Sequence, residues 1–152
     1  MIGAYWKWLK SPTSSGDARI LMRDIELAER IVDAAQQTKA ESILLYDLQN
    51  RSPITDYIII CSGRSQAHVR GIANRIEEDL RVAGVRTDFI EGYQEGSWVL
   101  MDFGIVIVHI FHPETRAYYD LESLLEDHAY RSFDSGMPKE TPAKAPAVSS
   151  SS

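Results

Sequence analysis

The amino-acid sequence predicts a single α/β domain, built as a mixed sheet of about five strands with helices packed on it. The chain has 152 residues, 44% hydrophobic and 25% charged, which suits one globular domain with a real core. Apolar, β-prone runs alternate along it with segments in which apolar residues recur every three to four positions, as on one face of a helix. The run Ile105–Ile110 is apolar apart from His109, so we expect a central strand buried on both faces.

The first half of the predicted domain contains one helix and two strands. The helix begins at Asp24, a residue type that can cap it, and extends to about Thr38. Its apolar residues fall at helical spacing on one face: Ile25, Ala28, Val32 and Ala35. Strands are predicted at Ser42–Asp47 and Asp56–Cys61, separated by a turn-forming segment.

A strand-helix-strand unit comes next. The turn Gly63–Ser65 leads into a helix that ends at Gly84, the usual position of a terminating glycine. Another strand is predicted at Val85–Ile90. A unit of this kind is expected to be right-handed and to place its two strands parallel.

A β-hairpin then organises the second half. Its strands are Trp98–Met101 and Ile105–Ile110, joined by a short segment that contains Gly104. His112 and Pro113 are predicted to end the last strand, and one or two short helices are expected within 114–127.

The two ends of the chain differ from the predicted domain, which spans 22–133. Residues 1–21 have no usable periodicity and are interpreted as an N-terminal extension, and the Pro, Ala, Ser and Lys mixture of 134–152 predicts a disordered tail. No apolar run is long enough to span a membrane, no secretory signal is convincing, and the lone Cys61 is expected to be a buried apolar residue. We therefore expect a cytoplasmic protein with no membrane partner.

The net charge of −6 is concentrated in one part of the chain. Between Glu91 and Asp127 acidic residues outnumber basic ones by eight to one. Affinity for nucleic acid comes largely from Lys and Arg, so this composition argues against a dedicated nucleic-acid site. It suits a basic protein partner, and equally a surface kept acidic for solubility.

Few residues suggest catalysis. The Gly63–Ser65 turn could hold a phosphate at a helix N-terminus, which leaves a nucleotide-binding or nucleotidyltransferase-like enzyme as the alternative interpretation. Asp56 has no second carboxylate two residues away to complete a metal pair. The histidines match no metal-ligand spacing, so no metal and no cofactor are expected.

Three residues of the hairpin lie on one side of the predicted sheet. The two-residue period of a strand places His109 and Phe111 on one face, and Trp98 belongs to the neighbouring strand. They form either an amphipathic patch that binds a partner or part of the core. His109 is expected either to titrate near neutrality or to be a hydrogen-bonded buried residue.

Several separated motifs resemble the ribosomal silencing factor family, also called Iojap-like. They are L-Y-D-L-Q-N-R-S-P-I-T-D-Y-I-I-I-C-S-G-R-S, E-G-Y-Q-E-G-S-W-V-L-M-D-F-G-I-V-I-V-H-I-F and E-T-R-A-Y-Y-D-L-E, in order within 24–128. The resemblance implies a nucleotidyltransferase-like core without an active site, and no enzyme activity. It also implies docking on the large ribosomal subunit through its protein fourteen, which prevents the small subunit from joining and represses translation when nutrients are scarce. A role of organellar relatives in large-subunit assembly belongs to the same resemblance.

The resemblance also assigns a partner surface. The family's motif positions fall on Trp98, Asp102, His109, Phe111, Glu114, Arg116 and Tyr119. Trp98 and Phe111 are expected to supply the apolar anchor, and the charged residues to set the orientation of the partner. A homodimer is plausible, because an apolar patch on a free protein tends to be covered. The chain departs from the family pattern at two positions, Ile105 and Leu125. We interpret the departure at Leu125 as a core substitution.

Overall fold

The computed structural model describes residues 23–49, 51–134 and 137–141. That part of the chain forms three α-helices, one 3-10 helix and seven strands. In chain order they are α1 (Asp24–Gln37), β1 (Glu41–Asp47), β2 (Tyr57–Ser62), α2 (Gln66–Val82), β3 (Phe89–Glu91), β4 (Trp98–Asp102), β5 (Val106–Phe111), α3 (Pro113–Tyr119), the 3-10 helix (Leu121–Leu125), β6 (Ala129–Asp134) and β7 (Met137–Thr141). The N-terminal extension predicted at 1–21 lies outside the described residues, as do 142–152 of the predicted tail.

The strands form one mixed sheet in the order β3-β4-β5-β2-β1-β6-β7. Strands β2 and β5 are parallel neighbours, and every other neighbouring pair in the described sheet is antiparallel. The prediction of a single α/β domain with a mixed sheet is confirmed. The expected number of strands was too low, because β6 and β7 follow the segment predicted to be the last strand.

The strand-helix-strand unit differs from its prediction in two respects. Strand β3 has the same direction as β2, as expected, but β5 and β4 lie between them. The predicted strand Val85–Ile90 is also shortened to its last residues. The N–H of Val85 donates to the carbonyl of Leu80 at 2.8 Å and so closes the C-terminus of α2 instead of joining a ladder.

The two faces of the sheet are covered differently. Helices α1 and α2 pack on one face, which we call the helix-covered face, against alternate strand residues that are fully buried. Helix α3 and the 3-10 helix cover only part of the opposite face, which we call the open face. There Leu44, Ile58, Leu100 and Ile107 remain partly exposed. Leu125 is buried on this side, which agrees with its interpretation as a core substitution.

The composition of 134–152 predicted a tail without regular structure, and the structure instead pairs Met137–Thr141 with β6. Strand β6 in turn pairs with β1 over five residues. Among the residues that the structure describes, no helix is long and apolar enough to cross a membrane.

Candidate functional site

Trp98 is the centre of an aromatic cluster on the open face. It is the first residue of β4 and pairs with Phe111 of β5, so the two side chains lie on the same side of the sheet. The Trp98 ring lies with its centroid 5.0 Å from that of Phe111, 5.9 Å from that of His109 and 4.7 Å from that of Tyr119 in α3. The face-sharing predicted from the period of a strand is confirmed, and α3 adds Tyr119 to it.

His109 is the polar member of this cluster and is only 8% exposed. Its Nδ1 accepts a hydrogen bond from the indole Nε1–H of Trp98 at 3.1 Å, so the proton of the neutral ring lies on Nε2. Burial lowers the pKa of His109 to about 4 from its ordinary value of 6.5, and the ring is neutral at pH 7. Of the two expected roles, the hydrogen-bonded buried residue is confirmed. His109 fixes the orientation of the Trp98 ring.

Phe111 has no exposed surface. Its side chain packs against Trp98 and belongs to the smaller core on the open face, together with Ile60 and Leu125. It therefore supports the Trp98 ring from beneath, and the prediction that it contacts a partner directly is corrected. Tyr119, by contrast, is 53% exposed beside Trp98.

Arg116 holds α3 onto the sheet. Its Nε pairs with a carboxylate oxygen of Glu122 at 2.8 Å, and its Nη1 donates to Oγ of Ser62 at 2.8 Å and to the carbonyl of Ser42 at 3.0 Å. The side chain is only 11% exposed. These bonds occupy Nε and Nη1 internally and give Arg116 a structural role in holding α3, while its contact with a partner stays a prediction.

Asp102 has a comparable internal role in the hairpin. Its Oδ1 accepts from the N–H of Gly104 at 2.7 Å and closes the turn between β4 and β5. Glu114 is different, because it is exposed in the first turn of α3. Of the charged residues predicted for the site, Glu114 is the one that lines a groove together with Trp98 and Tyr119.

A groove of about 690 Å³ lies between α3 and the loop before β4. Its lining consists of three aromatic residues, three glutamates and four smaller or apolar residues: Glu91, Gly92, Glu95, Ser97, Trp98, Leu100, Glu114, Thr115, Tyr118 and Tyr119. The partner surface assigned from the family motifs did not include Glu91, Glu95 or Tyr118. The excess of acidic residues from Glu91 onward was the signal in the sequence that pointed to this region.

Gly92 brings the loop close to β4. It adopts a φ of +84°, and a Cβ added there would lie 2.0 Å from the carbonyl oxygen of Trp98. Only glycine fits this approach. The tight turn carries Glu91 and Glu95 to the wall of the groove that faces α3.

The N–H groups of Gly63 and Arg64 and the hydroxyl of Ser65 are bonded within the protein. The N–H of Gly63 donates to the carbonyl of Phe111 at 2.9 Å, the N–H of Arg64 to Nδ1 of His68 at 2.9 Å, and the N–H of His68 to Oγ of Ser65 at 3.0 Å. A Cβ on Gly63 would lie 2.9 Å from the backbone nitrogen of Val69. The glycine is thus required by the packing of the turn against α2, and these N–H groups already have acceptors.

One pair of carboxyl groups does come together elsewhere. Burial raises the pKa of Asp24, and a hydrogen bond with Asp56 and the charge of Asp56 raise it further. Asp56 precedes β2 and Gly63 follows it, about 20 Å apart for six extended residues. The pair therefore does not lie at the Gly63 turn.

In the described ranges no group of three His, Cys, Asp or Glu side chains is placed to hold a metal ion.

Comparison with known proteins identifies the relatives of this chain. The family model described as "Ribosomal silencing factor during starvation" matches residues 22–152. This chain belongs to the ribosomal silencing factor family. The ribosomal silencing factor of Halalkalibacterium halodurans is 38% identical over 106 residues, which cover 70% of this chain and 91% of that protein. The ribosomal silencing factor of Bacillus subtilis is 39% identical over 104 residues, covering 68% of this chain and 88% of that one.

Solved structures agree with the family assignment. A crystal structure of a Chromobacterium violaceum protein matches with a TM-score of 0.67 at 33% identity, and covers 68% of this chain and 87% of that chain. The match supports the fold derived above, a helix-covered mixed sheet with one face partly open. The aromatic cluster and the acidic groove of this family member lie on that open face.

Proposed function

We propose that this member of the family binds the large ribosomal subunit through its protein fourteen, blocks the joining of the small subunit, and thereby represses translation under nutrient limitation. Family membership supports the ribosomal role. The observation that carries the mode of action is the partly exposed aromatic cluster of Trp98 and Tyr119 beside a groove lined with glutamates. Such a surface has the composition of a protein-binding site with an aromatic anchor.

The parts of the cluster have different roles in this proposal. Trp98 and Tyr119 contact the partner, and Glu114 adds a charged contact at the edge. Phe111 and His109 hold the Trp98 ring from beneath, and Arg116 and Asp102 hold α3 and the hairpin turn. An anchor that is fixed before binding loses little side-chain entropy when it binds, which favours affinity.

The proposed activity is steric and needs no catalytic residue. The internal hydrogen bonds of the Gly63–Ser65 turn and its distance from the Asp24–Asp56 pair give the nucleotidyltransferase-like alternative no support. A protein with this role would act in the cytoplasm, where bacterial subunits join. A homodimer formed through the open face would compete with the ribosome for the same residues.

Co-sedimentation with separated ribosomal subunits tests the proposal. The wild-type protein is expected to sediment with the large subunit and not with the small one. Trp98→Ala is expected to lower the affinity about thirtyfold, the usual effect of removing a central aromatic residue. Val82→Ala, an exposed apolar residue of α2 on the other side of the sheet, is the matched control.

Equal binding by wild type and a folded Trp98→Ala variant would contradict the assignment of the surface. Failure of the wild-type protein to sediment with either subunit would contradict the function itself. Circular dichroism of each variant at the temperature of the assay shows whether the fold is kept.

A further inference from the structure

We propose that the groove between α3 and the 91–97 loop binds one basic side chain, a lysine or an arginine, that the partner inserts over the aromatic cluster. The inference rests on the proposed function and names the chemistry that the same surface recognises. The groove combines ring faces and carboxylates in one concave site of about 690 Å³, a volume larger than one such side chain needs.

The aromatic side chains of the groove are arranged for contact with a cation. Tyr118 and Tyr119 meet edge to face with their centroids 4.9 Å apart, and Tyr119 lies 4.7 Å from Trp98. Tyr118 is 80% exposed and Tyr119 53% exposed, so ring surface is available to a ligand. Ammonium and guanidinium groups are attracted to the faces of Trp and Tyr rings.

The carboxylates supply the charge. Glu91 and Glu95 lie on the loop wall and Glu114 on the α3 wall, and all three side chains are exposed. Within the described residues none of the three forms an ion pair with a Lys, Arg or His of the chain itself. Three like charges around one groove repel each other, and a cation between them relieves that repulsion.

The nearby basic side chains are held elsewhere. Arg70 donates from Nη1 to the carbonyl of Gln94 at 3.0 Å, behind the loop, and Arg116 is bound to Glu122 and Ser62 under α3. No Lys or Arg of the described chain lines the groove. The cation that completes the site must therefore come from outside the described chain, and a basic partner protein is the source we propose.

Binding of blocked tripeptides tests this chemistry without the ribosome. The probes are Ac-Gly-Arg-Gly-amide, its Lys equivalent, and a version with citrulline, which has nearly the shape of arginine but no charge. The signal is the NMR shift of the Trp98 indole N–H, which His109 holds in a fixed environment. Saturable shifts with the Arg or Lys probe in the millimolar range are expected, and none with citrulline.

A triple variant and its control complete the test. Glu91→Gln, Glu95→Gln and Glu114→Gln together are expected to weaken binding of the charged probe about tenfold in dilute salt, an effect that falls as salt rises. Glu77→Gln, Glu126→Gln and Asp127→Asn change the net charge equally at exposed positions outside the groove, and little change is expected. Equal shifts with citrulline, or unchanged binding by the first triple variant, would overturn the proposal. A shift with only one basic probe would assign the site to that side chain.

Sedimentation of the same variants separates this inference from the proposed function. If the wild type and the groove variant sediment equally with the large subunit at every salt concentration, the groove proposal fails and the ribosomal one stands. If the charged probes bind but the wild type does not sediment with the large subunit, the groove chemistry stands and the ribosomal proposal fails.

Discussion

The two faces of the sheet are made by alternate residues of the same strands, yet helices cover one face fully and the other only in part. On the helix-covered face, Val99 of β4 and Val108 and Ile110 of β5 are fully buried under α1 and α2. On the open face, their neighbours Trp98 and His109 form a hydrogen-bonded aromatic cluster that α3 covers only in part. One face stabilises the fold, and the other carries the polar and aromatic groups that suit a partner.

The open face differs because the helices on it cover it only in part. Helix α3 is seven residues long and has no buried residue of its own. It is held by the bonds of Arg116 rather than by an apolar stripe, so it leaves ring surface exposed. A substitution on the helix-covered face should therefore lower stability. A substitution at the next position of the same strand, on the open face, should instead lower binding to the partner.

The largest effect on stability is expected at Ile59, which is fully buried on the helix-covered face. Ile59→Ala should lower the free energy of unfolding by about 2–5 kcal/mol, through lost burial and the cavity left behind. Ile58→Ala, on the open face and partly exposed, should cost clearly less. Urea unfolding of both variants measures the difference, and equal losses would contradict the distinction between the faces.

His109 should make stability depend on pH. Its pKa is lowered from 6.5 to about 4 in the fold, so the unfolded chain takes up the proton first as pH falls. The stabilisation present above pH 6.5 is then lost between pH 6.5 and 4, and amounts to roughly 3 kcal/mol at the acid end.

His109→Gln keeps an acceptor for the Trp98 indole and removes the titration. Its free energy of unfolding should fall less steeply over the same pH range than that of the wild type. The raised pKa of Asp24 acts in the opposite direction in both proteins and cancels in the comparison. Parallel curves for the two proteins would show that His109 is not buried in its neutral form.

Two glycines give the smallest effects, of opposite sign. Gly92→Ala places a Cβ 2.0 Å from the Trp98 carbonyl at a φ of +84° and should destabilise by about 1–3 kcal/mol, moving the loop of the groove. Gly71→Ala meets no atom within 4 Å inside α2 and should stabilise by about 0.5–1 kcal/mol. Thermal unfolding of the two variants is the check. Stabilisation by Gly92→Ala would refute the close approach of loop and strand.

Local patterns in the sequence were enough to predict part of the fold. The apolar spacing of α1 and α2, and the placing of Trp98 with Phe111 on one face, follow from periods of 3.6 and 2 residues. The neighbour of β2 could not be found in this way, because Ile107 pairs with Ile58 across a long separation in the chain. Strand β6 was missed for the same reason, since its short, mixed sequence becomes a strand by pairing with β1.

The residues of the candidate site could also be predicted only in part from the sequence. The motifs led to the partly exposed Trp98 and the exposed Tyr119. They also led to Phe111 and Arg116, whose burial depends on where α3 packs. Helix placement is a property of the whole fold and leaves no local pattern. The wall formed by Glu91 and Glu95 likewise depends on the loop turn at Gly92.

Joining of separated ribosomal subunits, followed by light scattering, measures whether the open face of this protein blocks subunit association. The wild-type protein is expected to prevent the rise in scattering when it is bound to the large subunit first. Trp98→Ala should lose this inhibition at concentrations where Val99→Ala, its neighbour on the helix-covered face, retains it despite a lower melting temperature. Inhibition by a folded Trp98→Ala variant as strong as that of the wild type would contradict the assignment of the function to the open face.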